Sequence, residues 1–116
     1  MIIIKLPLEV NIYKLETIIY GLKTYLMVQA DAYSNGKTAG DRYDTMKYQI
    51  ALKLTDKLLR KLTDKKLNPG KKDSFKIKLL YHEALVMLDV LQNFETSSPN
   101  ARVAANQIIA QLDKNL

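Results

Sequence analysis

Apolar residues recur along most of this chain at helical spacing. The densest case runs from Phe75 to Phe94. There Ile77, Leu80, Ala84, Met87, Leu91 and Phe94 fall three and four apart, the spacing that puts side chains on one face of a helix. Leu79, Leu85, Val86, Leu88 and Val90 spread that face over most of the circumference. Lys76, Lys78, His82, Glu83, Asp89 and Gln92 remain as a narrow polar strip. A helix covered so widely needs neighbours on several sides, so it is expected to be the centre of a helical bundle or part of a subunit interface.

The same periodicity predicts three more helices. The first runs from about Pro7 to Ser34, with Ile12, Leu15, Ile19, Leu22, Leu26, Gln29 and Tyr33 in heptad-like spacing. Pro7 suits a first helical position, and Glu9 suits the positive end of the helix dipole. Gly21 interrupts this helix at a cost of roughly 1 kcal/mol relative to alanine. Asn35-Gly36 and Gly40 mark a turn. A second helix runs from an Asp41 N-cap to Leu67 on the stripe Tyr43, Met46, Ile50, Leu54, Leu58 and Leu62, and Asn68-Pro69-Gly70 ends it. The third helix starts at an Asp73 or Ser74 cap and reaches Glu95. Ser98 and Pro99 open a fourth that reaches Lys114 and presents Ala101, Ala104, Ala105, Ile108 and Leu112. Residues Ile2 to Leu6 precede all of these as a short extended arm, because Pro7 disfavours helix at Leu6. The expected fold is therefore all-α: a single domain over residues 1–116, an up-and-down antiparallel four-helix bundle with an extended N-terminal arm. No internal repeat is visible in the residues. At 1.5 Å per residue the first two helices would be about 40 Å long and the last two about 33 and 24 Å. The long pair should overhang and leave apolar surface for a partner.

Composition narrows the possibilities further. With 47% hydrophobic and 26% charged residues, the chain has the balance of a folded domain rather than a disordered one. It has no cysteine, which removes disulfides, thiolate metal sites and cysteine nucleophiles, and is compatible with a cytoplasmic location. The opening Met1-Ile2-Ile3-Ile4-Lys5-Leu6-Pro7 lacks the pattern of a signal peptide, and no uncharged run is long enough to span a membrane.

The formal charge of +6 is local. Between Lys53 and Lys78 lie ten basic residues and three acids, a net +7, so the remainder of the chain is close to neutral at −1. Lys53, Lys57, Lys61 and Lys65, four apart, form a stripe along the second helix, with Arg60 beside it. Lys71 and Lys72 lie in the following loop, and Lys76 and Lys78 open the third helix. Together these nine cations make a candidate polyanion-binding end. The segment has no arginine-rich tract, and one aromatic, Phe75, and one glycine, Gly70, stand among its lysines, so phosphate contacts without base readout are the expectation.

Catalytic and metal-binding patterns fail on spacing. Gly36-Lys37-Thr38 copies the end of a phosphate-binding loop, but Asp31 stands where a glycine is required. His82-Glu83 begins a zinc-protease helix motif whose second histidine would fall at Val86. Ser97 and Ser98 read as caps. No nucleophile, base and orienting group come together, so neither catalytic residues, metal ligands nor a cofactor are expected. The sequence thus points to a non-enzymatic helical protein working through protein–protein association, most simply as a homodimer. Leu79, Val86 and Val90 of the third helix and Ile19 and Leu26 of the first are the candidate interface residues. The alternative is a nucleic-acid accessory role for the lysine-rich end.

Overall fold

The computed structural model describes residues 5–34, 42–70 and 72–116, without the side chains of residues 33 and 34. The Asp41 cap, the 35–40 turn, Lys71, the tip of the N-terminal arm and the heptad position at Tyr33 fall outside what is described. In chain order the elements are β1 (Lys5–Asn11), α1 (Ile12–Ser34), α2 (Arg42–Leu67), β2 (Ser74–Leu80), α3 (Tyr81–Gln92) and α4 (Pro99–Asn115).

The fold is not all-α as expected. β1 and β2 pair as a two-stranded antiparallel sheet, with Lys5 opposite Leu80, Leu8 opposite Ile77 and Asn11 opposite Ser74. The protein is mostly helical, with four helices among the described residues, but it is not an up-and-down bundle preceded by an arm. The physical reason lies in a change of period. Leu6, Leu8 and Val10 alternate with Lys5, Pro7 and Glu9, and Phe75, Ile77 and Leu79 alternate with Ser74, Lys76 and Lys78. Period-two alternation makes one buried and one exposed face of a strand. A stripe that joins Ile77 and Leu80 to Ala84 runs across the boundary between β2 and α3 and so reads as one long helix.

Both strand-to-helix junctions are capped by side chains. The Lys14 backbone N–H donates to Asn11 Oδ1 at 2.7 Å, so α1 begins after an asparagine cap rather than at Pro7. At α3 the Glu83 carboxylate reaches back to accept the Leu80 backbone N–H at 2.8 Å. Ser74 caps nothing; its hydroxyl donates to Glu9 across the sheet at 3.0 Å. The remaining boundaries follow the sequence closely. Gly70 adopts φ +70 in the turn after α2, a conformation that glycine reaches without steric cost. Ser98 Oγ accepts from the Ala101 backbone N–H with Pro99 at the start of α4.

The inner face of the sheet and the helices share one core. Leu8, Val10, Leu15, Ile18, Leu22, Leu54, Leu58, Leu79, Met87, Leu91 and Ile108 are fully buried in it, each contributing roughly 1.5–3 kcal/mol. α1 packs against all three other helices, and α3 lies against α1, α2 and α4, which gives α3 the central place its wide apolar cover demands. Gly21 sits where Leu91 and Phe94 approach α1; a Cβ there would meet them at 3.5 and 3.7 Å. Among the described residues no helix is long and apolar enough to cross a membrane.

β1–α1 and β2–α3 repeat one burial pattern. Leu8 and Val10 correspond to Ile77 and Leu79, Leu15 to Ala84, Ile18 to Met87, and Leu22 to Leu91, all at one constant offset. The repeat lies in which positions are buried and hardly at all in residue identity, which is why the letters alone do not display it.

Candidate functional site

The lysine stripe of α2 and the alternating lysines of β2 face each other. Between them lies an open cleft of about 740 Å³, lined on one side by Lys53, Lys57, Arg60 and Lys61 and on the other by Lys76 and Lys78. Two carboxylates, Asp56 and Asp64, are also present, so positive charge is in excess. A second hollow of about 380 Å³ continues past the start of β2; it shares Lys76 and adds Lys65 and Lys72. The two hollows share Lys76 and so bring together eight of the nine candidate cations, all but Lys71, but the second wall is a strand edge and not the first turns of a helix.

Several of these cations are already engaged. Lys57 Nζ donates to Glu83 Oε1 and to the Lys78 backbone carbonyl, both at 2.9 Å. Glu83 is only 8% exposed and also holds the Leu80 N–H, so Lys57 ties α2 to the β2–α3 junction. A charge-assisted contact of this kind is worth about 1.5–3 kcal/mol when buried, less here because the lysine is half exposed. Lys57 lies off the apolar stripe of α2, as the sequence implies, but it is a structural residue. Arg60 pairs with Asp56 one turn away at 3.0 Å, and Lys66 with Glu16 of α1 at 3.7 Å. Lys61 and Lys65 lie over the Phe75 ring, 6.0 and 5.0 Å from its centroid. Among the described residues, Lys53, Lys72, Lys76 and Lys78 have side chains with no ion-pair partner.

Backbone direction matters as much as charge in this cleft. On β1, the Glu9 N–H donates to Gln111 Oε1 at 3.0 Å, and Gln111 Nε2 donates to the Glu9 carbonyl at 2.8 Å. Both main-chain groups of Glu9 therefore point away from β2. In an antiparallel pair, residues directly opposite each other turn their peptide groups toward or away from one another together. Lys76, opposite Glu9, must then turn its N–H and C=O away from β1. Lys78 follows two residues on, and its carbonyl does take Lys57 from the α2 side. Pro7, opposite Lys78, has no N–H to offer. The N–H and C=O of Lys76 thus face outward along the free edge, without a protein partner among the described residues.

The candidate interface residues lie elsewhere than expected. Leu79, Val86, Val90 and Ile19 are all in the protein's own core, at most 6% exposed, and Leu26 is half-buried. Burial against α1, α2 and α4 absorbs the wide apolar face of α3, so those four side chains have no free surface to offer a partner. Exposed large apolar side chains occur on all four helices, among them Met27 and Val28 of α1, Tyr43 and Met46 of α2, Leu85 of α3 and Val103 of α4. His82 lies exposed at the start of α3. Among the described residues no three His, Cys, Asp or Glu side chains gather as metal ligands would.

Sequence reasoning missed two things: Glu83 as the fastener of the junction, and the free edge of β2. The signal for both was the alternation from Ser74 to Leu79, since a strand there makes Glu83 the third residue of a helix, where a reach-back carboxylate belongs. Comparison with protein-family models, with curated proteins and with solved structures finds no match for this chain.

Proposed function

We propose that the protein acts non-catalytically through protein–protein association, and that it pairs with a second copy through the outer ends of α1 and α2. The observation that supports this is where burial stops. On α1 the last fully buried position is Leu22, and on α2 the first is Ala51. Beyond them Met27, Val28, Tyr43 and Met46 are 70, 60, 58 and 52% exposed. Half-buried Tyr25, Leu26 and Ile50 lie on the same lengths of helix. These side chains lie on neighbouring lengths of two helices that pack together, and apolar surface concentrated in this way marks a candidate interaction surface.

A nucleic-acid role for the lysine-rich end has less support, because Lys57, Arg60 and Lys66 are engaged with carboxylates and Lys61 and Lys65 cover the Phe75 ring. Light scattering across a concentration series tests the association. The expected result is a dimer or larger species at micromolar concentration, and a shift toward 13.3 kDa when Met27→Glu and Met46→Glu are combined. Wild-type protein that stays monomeric throughout the series would end the reading.

A further inference from the structure

The free edge of β2 has two properties together. It carries an unpaired main-chain donor and acceptor at Lys76, and it stands across an open cleft from a second basic wall. α2 and β2 are held apart, linked at Lys78 by the Lys57 side chain, so the space beside Lys76 is not filled by helix. We propose that this edge docks an extended acidic segment of a partner protein, which adds to the sheet as a third strand.

Three observations select this occupant. The first is the Lys76 carbonyl. A peptide N–H satisfies it, whereas a phosphate backbone has no donor to give it; the Lys76 N–H, by contrast, suits either. Strand addition uses both groups. The second is charge. Lys76 and Lys78 project on the exposed face of β2, and residues opposite them on an added strand would lie on that face too, within reach of cross-strand pairing. Lys53 on the α2 wall and Lys72 at the mouth of the second hollow are also free of ion pairs. Acidic side chains at alternate positions match this arrangement. The third is that the same lysines repel a second copy of this edge, so the surface selects against self-pairing and for a different, negatively charged chain. The site is separate from the apolar ends of α1 and α2 and does not depend on self-association.

The test is fluorescence anisotropy with the full chain and a labelled peptide of alternating glutamate and valine. Saturable binding is expected. Methylating the backbone nitrogens along one edge of the peptide removes its donors without altering charge, and should weaken binding by about tenfold, the equivalent of one or two hydrogen bonds. Combining Lys76→Gln with Lys78→Gln should weaken it comparably while leaving the thermal melt unchanged, because neither side chain is used within the fold. Lys76→Pro provides a backbone arm on the protein side; its N–H is not used by the ladder, so the sheet tolerates proline there as it does at Pro7. An N-methylated peptide that binds as tightly as its parent would reduce the effect to charge alone and overturn strand addition. So would tighter binding of a thymidine oligonucleotide of equal charge, or failure of the acidic peptide to bind at millimolar concentration.

Discussion

The two strand–helix units of this protein share a burial pattern and differ wherever an edge or a junction must be finished. On β1, Pro7 removes a donor from the outer edge, and the Gln111 amide satisfies both main-chain groups of Glu9. At the corresponding positions of β2, Lys76 keeps its donor and acceptor open and Lys78 has only its carbonyl covered, by Lys57. The junctions differ in the same way. α1 starts on an asparagine cap, while α3 starts on Glu83, which also anchors Lys57. One unit is closed by neutral groups, the other by charges drawn from a distant helix. The contrast teaches that the repeat is a packing solution, whereas the departures from it locate the surface that remains available for binding.

The comparison can be broken most forcefully in the core. Leu15 and Ala84 occupy corresponding, fully buried places, so a large residue in one unit stands against a small one in the other. Leu15→Ala should cost about 2–5 kcal/mol through lost burial and a residual cavity. Ala84→Leu should cost less, about 1–3 kcal/mol, by overpacking. Urea denaturation of both variants measures the asymmetry, and equal costs would mean that the two places are not distinct in packing.

The junctions come next in size. Glu83→Ala leaves the Leu80 N–H without its acceptor and Lys57 without its carboxylate. A loss of about 2 kcal/mol is expected, the upper range being tempered because Lys57 can turn to water. Lys14, the corresponding residue in α1, has no ion pair among the described residues, and Lys14→Ala should stay within about 0.5 kcal/mol of wild type. Denaturation midpoints of the two variants decide the matter; a Glu83→Ala protein as stable as Lys14→Ala would remove Glu83 from its role.

Most of the helical architecture was legible from residue spacing. The ends of α2 at Asn68-Pro69-Gly70 and the start of α4 at Ser98-Pro99 are local decisions made by turn and cap chemistry. The sheet was not legible in the same way, because a seven-residue strand running straight into a helix offers few repeats of its period, and Leu80 and Ala84 extend the helical phase backward across the join. Pairing of β1 with β2 is also non-local, and no residue in either strand names its partner. The basic end could be read as charge, since lysines four apart must share a helix flank. Which lysines stay free could not, because Glu83, Glu16 and Phe75 are brought to Lys57, Lys66 and Lys65 only by tertiary packing. The candidate interface failed for a related reason: a wide apolar face on α3 implies cover, and the sequence does not say whether the cover comes from the same chain.

The smallest expected effect concerns the closed edge. Gln111→Ala removes both hydrogen bonds to Glu9, which lie near the surface, so water takes over part of their role and the loss should be about 1 kcal/mol or less. The more telling readout is binding. Opening this edge uncovers the Glu9 N–H and C=O, yet Pro7 still withholds the neighbouring donor and the exposed side chain is acidic. The variant should therefore gain no second site for the glutamate–valine peptide, and its stoichiometry by anisotropy titration should equal that of wild type. Adding Pro7→Lys to Gln111→Ala recreates on β1 the donor and the charge that β2 presents at Lys76. If an open edge with a lysine suffices, the double variant acquires a weak second site. If stoichiometry stays at one, an open donor and a lysine do not suffice: the β1 edge lies against α4, whereas the β2 edge faces a cleft with Lys53 on its far wall. A second site in the single variant would show that neither proline nor charge closes the edge, and that Gln111 alone does.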